Sequence, residues 1–326
     1  MLRSLFHPML AKSFIVRLKL NLSYRSSRLF KMPSTYRSSS YPFLSGDLFR
    51  SLAHIRIESY DDFKTSIIKL RAIAKPLSSQ LVIYVEASLL ENKNYQDKLL
   101  EFSCEASDIC PLPHPVLIIH NGDKIPPYEF LLQSTNYFDR VYAVNIVHET
   151  DRLRALPIGL ENLHHNKNGQ LQDFLDFRLQ LISDPSRVKN KLLFSSFNVE
   201  TNPIRVDIAQ SLAKSRFSFN SQKLSPSYYR KQLSESYFCI SPPGNGIDCH
   251  RTWESIYLGA VPVVLKGYLA SSLINKLPIL AVDSYQEFLG LSDQELYHAY
   301  HKTISKSILT ATARYWIDEL DFYLDL

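Results

Sequence analysis

The chain has 326 residues, 45% hydrophobic and 21% charged, enough for two ordinary domains, and no apolar run reaches the roughly 18 residues that a bilayer span requires. Its formal net charge is +5, but Arg3, Lys12, Arg17, Lys19, Arg25, Arg28, Lys31 and Arg37 all precede the first acid, Asp47. With those eight of the 37 basic residues set aside, 29 remain against 32 acids, so the body lacks the basic stripe of a nucleic-acid binder. Four cysteines, Cys104, Cys110, Cys239 and Cys249, are too few for a disulfide scaffold and fit a reducing compartment.

Residues 1–40 read as a basic head and linker. MLRSLFHPMLAKSFIVRLKLNLSYRSS has arginines and apolar residues but no acid. It is compatible with an amphipathic anchor, an organelle transit peptide, or sequence ahead of a true start at Met32. Peripheral membrane contact through residues 1–31, and a cytoplasmic, peripheral-membrane or organelle location, are expectations that rest on this head. A membrane- or nucleic-acid-associated interaction protein has no other support. RSSSYPFLSGD is the linker into a first domain over 41–185.

From there DDFKTSIIKLRAIAK has helical spacing, while QLVIYVEA, PVLIIHNGD, VYAVNI and RALPIGLEN are short branched runs that end in polar residues. The alternation predicts α/β layers with mainly parallel sheets. LQDFLDFRLQLIS reads as a helix, with a domain boundary near 186. A second domain over 186–300 runs through the strand in KNKLLFSSFNVETN, the helix PIRVDIAQSLAKS, the strand RFSFN and the helix SPSYYRKQLSES. It continues with the strand YFCISPPGNG, the helix HRTWESIYLG and the strand AVPVVLK. The end of the chain looks helical almost throughout, and over 301–326 it carries Trp316 and Phe322, more aromatic surface than a frayed terminus leaves in water.

SPPGNGIDCHRTWESIYLGAVPVVLKG, residues 241–267, holds four of the nine glycines. In open parallel sheets ligands bind beyond the carboxyl ends of strands, where loops feed helix N-termini. Gly244 and Gly246 are free to adopt positive φ and to let a ligand approach the backbone. His250 and Arg251 fall in the first turn of the next helix, which disfavours a cation by about 0.3–1 kcal/mol unless an anion offsets it. Helical spacing puts Trp253, Ile256, Tyr257 and Ala260 on one face and His250, Arg251 and Glu254 on another, open to a ligand. The plainer alternative is that Asp248 caps the helix, Arg251 and Glu254 form a surface pair, and the glycines make an ordinary turn.

YFCISPPGNGIDCHRTWESIYLGAVPVVLKG resembles the donor-site region of exostosin-like glycosyltransferases, in which a loop of the type SPxGxGxDxxRxxE leads into a helix and a GAVPVV-like strand. SGDLFR at 45–50, IIHNGD at 118–123, LPIGLEN at 156–162 and LLFSSFNVETNPIR at 192–205 are similar to further pieces of such enzymes. The resemblance implies a GT-B fold: two Rossmann-like domains with mainly parallel sheets facing across a cleft, nucleotide sugar on the C-terminal one and acceptor on the other. It implies that Glu254 holds the donor ribose, that Arg251 and Arg205 face the diphosphate with His250 nearby, and that the backbone around Gly244, Asn245 and Gly246 approaches sugar or phosphate. It also implies a final helix that crosses back to the N-terminal domain.

Retaining enzymes of this fold commonly place a second glutamate eight residues before the ribose one, and Gly246 stands there, which points to inversion. Inversion requires a general base on the acceptor side. The candidates are Asp123, Asp47 and Glu161, with His120 as a neighbour of the first. Each has a structural alternative: Asp123 shaping the HNGDK turn, Asp47 capping a helix from Leu48, Glu161 pairing with a basic residue, His120 bonded at a strand end. An inactive nucleotide- or glycan-binding protein of the same fold is the alternative function.

No two aspartates are spaced D-x-D, so a metal-independent reaction is expected, with no cofactor beyond the donor itself. Cys104, Cys110, His114 and His120 follow no closed zinc-site spacing. His164 and His165 read as a solvated loop, with a place bordering the acceptor beside PIGLEN as the alternative, and the FSSF serines lack the context of a nucleophile elbow.

Overall fold

The computed structural model describes residues 40, 42–73, 81–109, 115–124, 126–162, 173–177, 189–220 and 223–320. The basic head, His164, His165, most of LQDFLDFRLQLIS and Phe322 lie outside them. Two parallel sheets organise the described residues. The first has five strands, β1 (Ile55–Ile57), β2 (Val82–Glu86), β3 (Val116–His120), β4 (Arg140–Val144) and β5 (Leu153–Leu156), in chain order. VIYV and VLIIH are buried along their length, as parallel strands covered on both faces must be.

Crossovers between parallel neighbours are right-handed, so a sheet in chain order collects its crossover helices on one face. There α2 (Asp62–Ile73) packs on α3 (Lys93–Ile109), and α3 on α4 (Tyr128–Ser134). The opposite face presents Tyr84, Ile118 and Tyr142 in register and needs another cover. It comes from the first and last of the described helices, α1 (Gly46–Ser51) and α11 (Ala313–Glu319). Phe49 stacks on His120 at 5.1 Å, and Trp316 meets Phe49 and Tyr142 edge-on at 5.8 and 6.3 Å.

The second sheet orders β6 (Lys191–Phe194), β7 (Ser236–Ile240), β8 (Val261–Leu265) and β9 (Leu280–Val282), again parallel and in chain order. One face packs Phe238, Ile240, Val261 and Val263 against α5 (Ile204–Ala213), α9 (Tyr285–Gly290) and α10 (Asp293–Ile304). The other side, with Phe194, Cys239 and Val264, belongs to the same hydrophobic core as the first sheet. It includes Leu233 of α6 (Pro226–Ser234), Trp253 of α7 (His250–Tyr257) and Leu273 of α8 (Ser271–Lys276). The expected architecture of two Rossmann-like parallel α/β units facing across a cleft is therefore the one observed. Since neither strand order reverses, neither sheet has a switch point of its own, and the loops at the carboxyl edges of both are where ligand contacts are sought.

Tyr257 ties the segments beside these two helices together, its hydroxyl accepting from Leu44 N (3.1 Å) and donating to Ala311 O (2.9 Å). Ala313 N donates to Pro42 O at 3.1 Å, and Trp316 Nε1 to Thr310 O at 2.8 Å.

Two expected elements differ. RFSFN is not a strand: only Asn220 makes a bridge, to Ser196, while Phe219 lies 4.7 Å from the Phe197 ring. Its alternation reflects side chains of a loop reaching the core. The C-terminal region is not one helix, because α10 stops at Ile304, a 3-10 turn covers Leu309–Ala311, and Thr312 caps α11. Hydroxyls break it there: Ser305 donates to Lys302 O, Ser307 accepts from Leu309 N, and Thr312 donates to Leu309 O. No helix among the described residues is long and apolar enough to cross a membrane.

Candidate active site

The loop after β7 is held by its own unit before it meets the other. Arg205, in the first turn of α5, donates to Pro243 O (2.7 Å), Asn198 O (3.0 Å) and Pro242 O (3.3 Å). Two of these bonds hold the loop after β7 and the third ties it to the loop after β6. Asn202 Nδ2 donates to Gly244 O at 2.8 Å. Gly244 and Gly246 do not take positive φ; among the described glycines only Gly159, Gly259 and Gly267 do. Glycine is required at 246 for a steric reason. A Cβ there would lie 2.7 Å from Asp123 O and 2.8 Å from both side-chain polar atoms of Asn145. The space expected for a ligand is filled by the first unit.

Asn145, at the exit of β4, has φ 58°, a left-handed conformation that asparagine tolerates better than most residues. Its Nδ2 donates to Gly122 O (2.8 Å) and Asp123 O (3.2 Å), and its Oδ1 accepts from Asp248 N (3.1 Å). Asn245 Nδ2 donates to Asp123 Oδ2 at 3.0 Å. Asp248 does not cap α7; Cys249 is the N-cap, without a side-chain bond. The Asp248 carboxylate is buried, accepting from Ile158 N (2.8 Å) and, on both oxygens, from Trp253 Nε1 (3.1 and 2.9 Å). Burial pushes its pKa up to about 6 against those donors. His250 Nδ1 donates to Gly159 O at 2.8 Å, where the positive φ of Gly159 (72°) carries the chain past Leu44.

The division of α7 into an apolar and a ligand-facing side is only partly met. Glu254 is 4% exposed, as buried as its apolar neighbours, and Tyr229 Oη donates to its Oε2 at 2.9 Å. Burial raises its pKa, with His250 and Arg251 opposing. No ion pair joins Arg251 and Glu254 among the described residues, so they are not a surface pair. Arg251 lies over the Phe197 ring at 5.9 Å and Arg205 over the same ring at 5.7 Å. Burial and the nearby Arg251 bring the Arg205 pKa down to about 10. Arg251 Nε is buried and has no hydrogen-bond partner. Burial opposes its charge, while Tyr229, Cys249, Cys239 and Glu254 favour it, for a net raised pKa.

Across the cleft, the carboxyl edge of the first sheet carries the acids. His120 is 1% exposed, its Nε2 donating to Pro157 O (3.0 Å) and its Nδ1 accepting from Asn121 N (2.8 Å). Burial pushes its pKa down to about 4, so it is a neutral strand-end residue. Asn121 has φ 60° and accepts from Asn162 Nδ2 at 2.9 Å, while Asn162 Oδ1 accepts from Asp47 N at 2.9 Å. Ser45, not Asp47, caps α1. Asp123 is exposed apart from its bond with Asn245, and Glu161 sits close enough to Glu254 to raise its pKa.

A fourth acid was missed in the sequence: Glu86, the last residue of β2. It accepts from Tyr84 Oη at 3.0 Å and from the Asn121 side chain, and burial raises its pKa. The acid ending QLVIYVEA was the signal, equivalent to the polar ending of IIHNGD. Behind the loop, a cavity of about 10 Å³ lined by Ser241, Pro243, Asp248, Thr252 and Leu269 is no larger than a water. Among the described residues no group of three or more His, Cys, Asp or Glu is placed to hold a metal ion.

No protein-family model and no curated protein matches the chain. Solved structures of similar outline include an α,α-trehalose-phosphate synthase (UDP-forming) from Burkholderia vietnamiensis, 13% identical over 81% of this chain and 75% of that one, with a TM-score of 0.35. The N-terminal domain of Candida albicans trehalose-6-phosphate phosphatase is 11% identical over 80% and 75%, with a TM-score of 0.39. An α,α-trehalose 6-phosphate synthase from Burkholderia multivorans is 12% identical over 88% and 78%, with a TM-score of 0.34. Likenesses of this size leave the chemistry to be argued from the residues.

Proposed function

We propose that the chain is a glycosyltransferase that moves a sugar from a nucleotide-sugar donor to a hydroxyl of a glycan or related acceptor, with inversion and without a metal. The observation that carries this reading is Arg251, half-buried with a buried and unpartnered Nε, sharing the Phe197 ring with the guanidinium of buried Arg205 at the carboxyl edge of a parallel sheet. Two guanidinium groups held against one ring repel each other, and an anion between them offsets that repulsion. A diphosphate supplies that anion, and its negative charge grows as it leaves. Arg205 contributes field and loop shape, and Glu254 accepts from the ribose hydroxyls.

On the acceptor side a carboxylate takes the hydroxyl proton as the oxygen attacks the anomeric carbon in line, the donor diphosphate departing with the bonding pair. Asp123, Asp47 and Glu161 remain the candidates, joined by Glu86. Gly246 at the position eight before Glu254 supports inversion. A second reading, an inactive binding protein of the same fold, is favoured by the seating of Gly246 and Asn245 directly on Asp123 and Asn145.

A thermal-shift panel of nucleotides and nucleotide sugars tests the proposal. A ligand at 100 times its Kd adds about 2.7 kcal/mol of stability. Binding with release of free nucleotide on addition of acceptor sugars supports transfer, and binding without turnover supports the second reading. Silence across the panel rejects both.

A further inference from the structure

We infer that Ser195 is a second donor to the diphosphate proposed above, a role that rests on the nucleotide-sugar reading and adds a residue to it. Ser195 is the first residue after β6 and is 3% exposed. Four buried side-chain polar atoms among the described residues have no hydrogen-bond partner, and Ser195 Oγ and Arg251 Nε are two of them. Both stand at the carboxyl edge of the second sheet, in the segments that follow neighbouring strands: β6 pairs with β7 through Phe194 and Cys239, and α7 follows the loop after β7.

The local chain places the hydroxyl on a defined side. Leu193 and Phe197, two residues before and after Ser195, both enter the second core, while Phe194 enters the first. Ser195 thus shares the side of Phe197, whose ring carries both guanidinium groups. Its backbone is fixed, since Ser195 O accepts from Asn220 N at 3.0 Å. A serine hydroxyl rotates freely and donates one hydrogen, so it suits a phosphate oxygen approaching Arg251. Left unpaired in the protein, it costs stability, and alanine would remove the cost. A site kept for a ligand has this signature: a residue that weakens the free protein and strengthens the complex.

The test uses the full chain, with Ser195→Ala compared against the unsubstituted protein. The probes are UDP, GDP and ADP, the parent nucleoside of whichever binds best, and inorganic pyrophosphate. The melting temperature of free Ser195→Ala is expected to equal or exceed that of the unsubstituted protein. Its affinity for the diphosphate and for pyrophosphate should fall about tenfold or more, with nucleoside affinity unchanged. An equal loss for nucleoside and diphosphate, an unchanged diphosphate affinity, or a lowered melting temperature of the free variant overturns the role of Ser195. Failure of the unsubstituted protein to bind any probe overturns the nucleotide-sugar reading itself, and this inference with it.

Discussion

Trp316→Ala tests how the first sheet acquires its second layer. Trp316 is 4% exposed, meets Phe49 and Tyr142 edge-on, and bonds Thr310 O at 2.8 Å. Truncating a buried tryptophan costs about 3–5 kcal/mol, and the lost N–H bond falls within that range. The chain has two tryptophans, so the variant leaves Trp253, fully buried in α7, as the sole indole reporter of unfolding. Urea unfolding followed by that fluorescence and by far-ultraviolet circular dichroism should show a lower midpoint with little change in slope. A double-mutant cycle with Phe49→Ala should give a coupling of about 0.5–1.5 kcal/mol. A loss below about 1 kcal/mol, or strict additivity with Phe49→Ala, would refute the docking of α11 on the first sheet.

Gly246→Ala should destabilise by about 1–3 kcal/mol, since its Cβ meets Asp123 and Asn145; an unchanged urea midpoint would mean the loop is not seated on the first unit. Glu254→Ala should weaken nucleotide binding by about 1.5–3 kcal/mol by calorimetry. Because the pKa of Glu254 is raised, nucleotide affinity in the unsubstituted protein should be full at higher pH and fall as pH drops through that raised value. Tyr229→Phe, which removes a bond favouring the ionised form, should move the fall to higher pH, and an unmoved profile would separate Glu254 from the titration. Asp248 binds a proton more tightly folded than unfolded, so its contribution to stability falls as pH rises from 3.8 through about 6, by roughly 3 kcal/mol in all. Asp248→Asn should lack that fall, and a pH-independent difference between the two proteins would contradict it. Removing residues 1–31 should leave nucleotide binding intact and reduce sedimentation with anionic vesicles; equal sedimentation would dismiss the membrane role of the head.

The α/β alternation was legible because strands covered on both faces must be continuous apolar runs, as VIYV and VLII are, whatever surrounds them. The loop, helix and strand of 241–267 were legible for a similar local reason, since glycine, helical periodicity and a branched run act within a few residues of themselves. Helix α3, not among the expected elements, carries the same kind of local signal in Leu99, Phe102 and Ala106 on one buried stripe.

What tertiary structure alone decided is set by partners far along the chain. The sequence shows that Gly246 is a glycine, but its reason is Asp123 and Asn145, more than a hundred residues earlier in the neighbouring loops. Arg205 carries the same charge in either account, yet three carbonyls from the loops after β6 and β7 turn it from an expected ligand contact into a brace between those loops. Helical spacing put Glu254 on a polar face, and Tyr229 from α6 closed that face over it. The strand order, which leaves one side of the first sheet to be covered by α1 and α11, more than 250 positions apart, has no local signature at all. Secondary structure follows short-range periodicity and backbone preference, whereas a site depends on which distant backbone atoms take up each side chain's hydrogen bonds and space.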